Sequence, residues 1–199
     1  MSTAEALSPG KMKILKAVAD LLEDPAAKIT INRIAGQCSV TEAALYRHYR
    51  SKEDIFQALL AYMETHFLGP LNRVQKQGGE TPQQLAMVFN DYMEFFRGHP
   101  GLARLFLGHG NTEADGVSDK VQLLNAKIRS QLAMILKWGQ AKGTLRSSLT
   151  PEQAAELFYG LVVAAAMAQV FNLPQISRDE RWQGFAAAVF ADGRAALSA

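Results

Sequence analysis

The sequence holds a single cysteine and only two tryptophans. With one thiol, Cys38, an internal disulfide, a CxxC pair and a cysteine-rich zinc site are all excluded. A reducing compartment suits such a chain. Long hydrophobic runs are scarce too. The longest, 157–170, is interrupted by Gly160 and Gln169 and falls short of the ~20 apolar residues that a bilayer-crossing helix needs. Met1 to Gly10 shows no basic start followed by an apolar stretch, so neither a membrane segment nor a signal peptide is expected. No segment alternates apolar and polar residues as a strand would. The glycine, serine and histidine signatures of nucleotide-binding, hydrolase and metalloprotease sites are missing. His66, His99 and His109 are too scattered for a metal motif, and Cys38 reads as a small buried apolar residue. The expectation is a protein without catalytic residues, metal or cofactor; an enzyme of unfamiliar kind is the remote alternative.

Charge of either sign is nearly balanced, the net value being +2 over 199 residues. Its distribution is not even. Between positions 11 and 52 the cations are Lys11, Lys13, Lys16, Lys28, Arg33, Arg47, Arg50 and Lys52. The acids there are Asp20, Glu23, Asp24 and Glu42, leaving an excess of four positive charges. Basicity gathered in one short segment is an electrostatic footprint for a polyanion.

Apolar spacing of three and four residues fills the chain, which predicts about nine helices. Ser8-Pro9 opens the first, with Ile14, Leu15, Val18, Leu21 and Leu22 on one face and Pro25 as its stop. Thr30 caps a short helix carrying Ile31, Ile34, Ala35 and Cys38. Thr41 caps another, Glu42 to His48. Ser51, followed by Glu53 and Asp54, starts a long helix to about Gln77 with a kink expected at Gly69-Pro70. Thr81-Pro82 opens a fifth, and a short helix covers Gly101 to Leu107. After a polar loop, 108–118, a long helix runs from about Asp119 to Lys142. Thr150-Pro151 starts one reaching Phe171, and Ser177 starts the last, ending near Leu197. The fold class expected is all-α: a three-helix N-terminal unit over 1–54 and a larger helical C-terminal unit over 55–199.

The stretch from Lys28 to Lys52 carries the chemistry. Two short capped helices joined by a tight turn pack steeply only where small residues allow it, and Ala35, Cys38 and Ala44 do. They rest on the apolar face of the first helix. That arrangement leaves the outer face of the Thr41–His48 helix free to enter a major groove, N-terminal end first. Thr30 and Thr41, at helix starts, offer hydroxyl and N–H groups to phosphate. Tyr46 and His48 offer flat side chains with a donor, and Arg47 and Lys52 positive charge. Thr41, Glu42, Ala43 and Ala44 lead the helix towards base edges: a Glu accepts from a cytosine amino group, and a methyl packs on thymine. Leu45 and Tyr49 share the inward face.

Ile34-Ala35, Val40-Thr41, Leu45-Tyr46 with Tyr49, and Ser51-Lys52 continuing into Ile55, Phe56 and Leu59 resemble the DNA-binding domain of the TetR family of regulators. Two stretches, TEAALYRHYRSK and HPGLARLFLGH, look most like that family's nucleoid occlusion factor branch. The resemblance implies a DNA-binding domain over 1–54, a dimerisation and regulatory domain over 55–199, and a homodimer on a pseudo-palindromic duplex. It further implies a transcriptional regulator, a repressor in the cytoplasm, or, on the branch likeness, a nucleoid-associated protein that restrains the cell-division polymer. One departure stands out: the turn position where the family usually places Gly is Ser39.

The C-terminal half admits two readings. Phe89, Tyr92, Met93, Phe96, Phe106, Trp138 and Phe158 line a cavity for a small-molecule effector, or they fill a core while a partner docks outside, near His99–His109. A homodimer interface is expected from the small-residue helix (Leu157, Gly160, Leu161, Ala164, Met167 and Ala168) and the last helix (Trp182, Phe185 and Val189).

Overall fold

The computed structural model describes residues 7–109, 116–174 and 176–191. Among these the chain forms α1 (Pro9–Leu21), α2 (Ile31–Gln37), α3 (Glu42–Tyr46), α4 (Lys52–Gln77), α5 (Thr81–Gly98), α6 (Pro100–Phe106), α7 (Val117–Ala141), α8 (Pro151–Val170) and α9 (Arg178–Val189). The expected end of the last helix near Leu197 lies outside the described residues.

Hydroxyl caps set most of the starts. Ser8, Thr30, Thr41, Ser51, Thr150 and Ser177 each accept a hydrogen bond from a first-turn N–H, and Thr150 and Ser177 form complete capping boxes with Gln153 and Glu180. The ends share a device as well. In α2, α6, α7 and α8 a left-handed residue follows the last turn: Ser39, Gly108, Gly143 and Asn172. Paired bonds close each end, as in Ser39 N–H to Gly36 O and Val40 N–H to Ala35 O, both 3.0 Å. Ser39, with φ +54°, is the expected departure from glycine, and the turn keeps the left-handed geometry without it.

α1 packs on α2, α4 and α6, and α2 packs on α3. One apolar core runs without interruption from Ile14 to Phe190. α4 continues unbroken through Gly69-Pro70, and the expected division after residue 54 falls inside its first turn. α1 meets α6 so closely that a Cβ on Gly101 would lie 2.0 Å from the Ala19 carbonyl oxygen. The end of α9 is pinned by an isolated antiparallel bridge between Leu145 and Phe190, with Arg146 N–H to Val189 O at 3.0 Å and Ala191 N–H to Thr144 O at 2.9 Å.

Three expectations for the C-terminal half are corrected. Phe89, Tyr92, Phe96, Phe106 and Phe158 are fully buried and occupy one another's space. Phe67 stacks on Phe106 at 4.7 Å, Phe89 on Trp182 at 6.0 Å, and Phe158 meets Phe185 edge-on at 5.5 Å. The Tyr92 hydroxyl donates to Phe67 O at 2.6 Å. These rings build a core rather than the walls of a cavity, while Trp138 is 68% exposed on the outside of α7.

The second correction concerns the proposed dimer face. Trp182, Phe185, Val189 and Ala168 are buried within the protomer, because the apolar stripe of α9 faces Phe89 and Phe158 of its own chain. Leu157, Gly160, Ala164 and Met167 are exposed on α8, and Leu161 is half-buried. On α9 the exposed residues include Gln183, Gly184, Ala187 and Ala188.

Thirdly, α8 as a whole, 20 residues, is long and apolar enough to cross a bilayer by length and composition, which the shorter run considered above understated. Here its Ala154, Phe158, Val162, Ala165 and Ala166 face the core, and it packs against α5, α6, α7 and α9.

Candidate nucleic-acid interface

α3 is only five residues long and has no core of its own. Leu45 and Tyr49 anchor it, both buried against the α1 and α2 side of the core. Cys38, buried beneath, directs its thiol to Lys13 O at 3.9 Å, and burial pushes the thiol pKa up while nearby Lys13 opposes that. With the inward side fixed, the other face turns out: Thr41, Glu42, Ala43, Tyr46, Arg47 and His48 are exposed, and Ala44 is half-buried.

The threonines are spoken for on one side only. Thr41 Oγ1 accepts from Ala44 N–H at 3.2 Å and Thr30 Oγ1 from Arg33 N–H at 3.3 Å. Each hydroxyl proton is left to donate outward. Tyr46 is 48% exposed. The His48 ring lies over α1, where a Cβ on Gly10 would come within 2.5 Å of its Cε1, so this imidazole is seated at the junction of α1 and α3. Lys52 is half-buried at the start of α4.

Sequence reasoning missed two partners. Asn32 Nδ2 on α2 donates to Glu42 Oε1 on α3 at 3.1 Å. Gly10 supplies the seat for His48. Neither contact leaves a periodic trace in the sequence, since both cross between helices.

Electrostatics sharpen the picture. None of the eight cations from Lys11 to Lys52 forms a salt bridge among the described residues; every ion pair lies between residues 64 and 179. Lys11 instead sits 5.6 Å over the Tyr49 ring. Two of the four acids in that segment are engaged in local bonds, Asp24 with Ala26 N–H and Glu42 with Asn32. Cations without ion pairs therefore share the N-terminal segment with a short helix presented outward, a combination suited to phosphate tracks. No group of three metal-ligating side chains occurs among the described residues.

Such a three-helix unit with a projecting third helix defines a helix-turn-helix protein. Residues 14–59 match the model of the bacterial regulatory proteins of the tetR family. Among its relatives, the nucleoid occlusion factor SlmA of Vibrio campbellii is 34% identical over 128 residues, covering 63% of this chain and 65% of that protein. The matched stretch thus spans less than two thirds of that relative. The factor of the same name from Shewanella denitrificans is 28% identical over 179 residues, covering 85% and 89%. In architecture the chain is similar to AibR, solved in complex with isovaleryl coenzyme A and operator DNA, with a TM-score of 0.69, 20% identity and coverage of 91% and 98%.

Proposed function

We propose that the protein binds duplex DNA as a homodimer and regulates transcription, most simply as a repressor. Residues 1–54 form the reading head and 55–199 hold the two copies together. The observation that carries this is the outward α3 face, on a segment whose cations form no ion pair among the described residues. Arg47 and Lys52 neutralise phosphates, Thr30, Thr41, Tyr46 and His48 donate to them, and Glu42, Ala43 and Ala44 approach base edges. One such helix reads only a few base pairs. Two copies read half-sites about one helical turn, or a multiple of it, apart. The exposed Leu157, Gly160, Ala164 and Met167 stripe of α8 supports the pairing, because an apolar face with small residues lets a second copy approach closely.

A second reading has its own support. The filled aromatic core speaks against an internal effector cavity, and the likeness to SlmA favours a nucleoid-associated protein acting on cell division while bound to DNA. A groove beside Leu15, Leu59, Tyr62, His99 and Leu102 offers the external docking place that this adaptor role needs.

Two experiments test these readings. Thr41→Ala with Tyr46→Ala abolishes binding to a selected operator while the melting temperature stays within a few degrees; unchanged affinity and salt dependence would place the DNA elsewhere. A genome-wide map of bound sites separates the roles. One or two sites beside neighbouring genes mean a local repressor, whereas many sites sparing the replication terminus mean nucleoid occlusion.

A further inference from the structure

We propose that a cleft between α5, α8 and α9 binds a small organic anion: a carboxylate or phosphate carried on a short apolar body. The cleft has a volume of about 330 Å³, within the range of small-ligand sites. Of the residues expected to line an effector cavity, only Met93 and Phe96 border it. The site is therefore lateral to the aromatic core, not inside it.

Charge gives the cleft its chemistry. Arg97, Arg178 and Arg181 line it together with a single carboxylate, Glu94. Glu94 accepts from Arg97 Nη2 through one oxygen and from Arg178 Nη1 at 3.4 Å through the other. Arg178 Nε also lies 3.9 Å from Asp179 Oδ1. Arg181, half-buried, forms no salt bridge among the described residues. Elsewhere on the C-terminal half the ion pairs run one cation to one acid, as in Arg73–Asp91 and Lys127–Glu64.

The excess guanidinium charge borders an apolar wall. Phe96 is buried, Met93 is half-buried, and Ala165 of α8 closes the floor. Apolar neighbours displace water and strengthen attraction to an incoming anion. The planar donor fork of arginine matches carboxylate and phosphate oxygens. Glu94 already occupies part of that donor set, so it acts as an internal competitor that an exogenous anion must displace or complement. A bound anion joins α9, through Arg178 and Arg181, to α5, through Arg97. This inference stands independently of the DNA-binding reading.

Calorimetric titration of the full chain with hexanoate, hexyl phosphate, hexanol and inorganic phosphate tests it. Expected is saturable binding of hexanoate or hexyl phosphate at one site per protomer, with hexanol and inorganic phosphate at least about tenfold weaker. Which anion binds tighter identifies the head group. Arg181→Gln weakens binding about tenfold or more, and Glu94→Gln tightens it several-fold, a gain that a purely structural role for Glu94 does not produce. Thermal unfolding verifies that both variants fold. Hexanol equalling hexanoate, unaltered binding in Arg181→Gln, weakened binding in Glu94→Gln, or no binding of any probe would overturn the proposal. Operator affinity of Arg181→Gln, measured without probe, stays at the wild-type value, so failure here is separable from failure of the DNA-binding reading.

Discussion

The carboxylate of Glu42 is held from α2: Asn32 Nδ2 donates to its Oε1 at 3.1 Å, across the turn that separates the two helices. The bond orients one oxygen; in the proposed reading the other meets a base edge. Asn32→Ala removes an exposed bond, so stability measured by urea unfolding changes by no more than about 0.5 kcal/mol. On the proposal that Glu42 accepts from a cytosine amino group, base preference, read by selection from a random duplex pool, broadens at that position. An unchanged preference would mean that Glu42 does not read sequence.

Ser39 occupies a left-handed conformation, φ +54°, which costs a residue with a Cβ about 1 kcal/mol relative to glycine. Ser39→Gly therefore stabilises the protein by about 1 kcal/mol. Denaturant midpoints of the two proteins check this, and a loss of stability would show that the Ser39 side chain makes a compensating contact.

Tyr49 is buried with a hydroxyl that has no hydrogen-bond partner among the described residues, and burial pushes its pKa up to about 12. The folded state thus favours the neutral phenol. Its contribution is fully present below the unfolded value near 10 and is lost as pH rises through about 12. Tyr49→Phe is neutral or stabilising by up to about 1 kcal/mol at pH 7, and it flattens the alkaline fall in stability between those values. Melting temperatures across an alkaline pH series measure both effects.

Gly101 admits no side chain, since its Cβ would fall 2.0 Å from Ala19 O. Gly101→Ala forces α1 off α6 and destabilises the fold by about 3 kcal/mol. Gly36→Ala, with nothing within 4 Å, serves as the tolerated control.

The two apolar sides of the C-terminal helices separate by substitution. Ala164→Glu leaves helix content unaltered and shifts the chain to monomer in light scattering. Trp182→Ala, at a fully buried ring, costs about 3–5 kcal/mol of folding stability instead. A dimer surviving Ala164→Glu would move the interface away from the α8 stripe.

Much of this was legible before folding, and the reason is local. Ser8, Thr30, Thr41, Ser51, Thr150 and Ser177 announce helix starts because a hydroxyl bonding its own first turn needs no distant partner. The inward pair Leu45 and Tyr49 follows from helical spacing alone. What spacing does not disclose is which surface meets an apolar stripe. Trp182, Phe185 and Val189 recur as a helix face should, yet that face meets its own chain rather than a second copy. Trp138 looks like core by composition, but the buried line of α7 passes through Leu132, Ile135, Leu136 and Gly139, leaving the indole to one side. The arginine cleft draws on residues more than eighty positions apart, and the Asn32–Glu42 bond joins two polar side chains that no hydrophobic pattern marks.

The solitary thiol has a practical consequence. Cys38 is sealed between α1 and α2, so an alkylating reagent reaches it only when those helices part. With no other sulfhydryl competing, each labelled molecule records one opening, local or global, that parts α1 from α2. The ratio of labelling rates with and without a duplex then serves as an intrinsic gauge of how firmly the groove clamps the head shut.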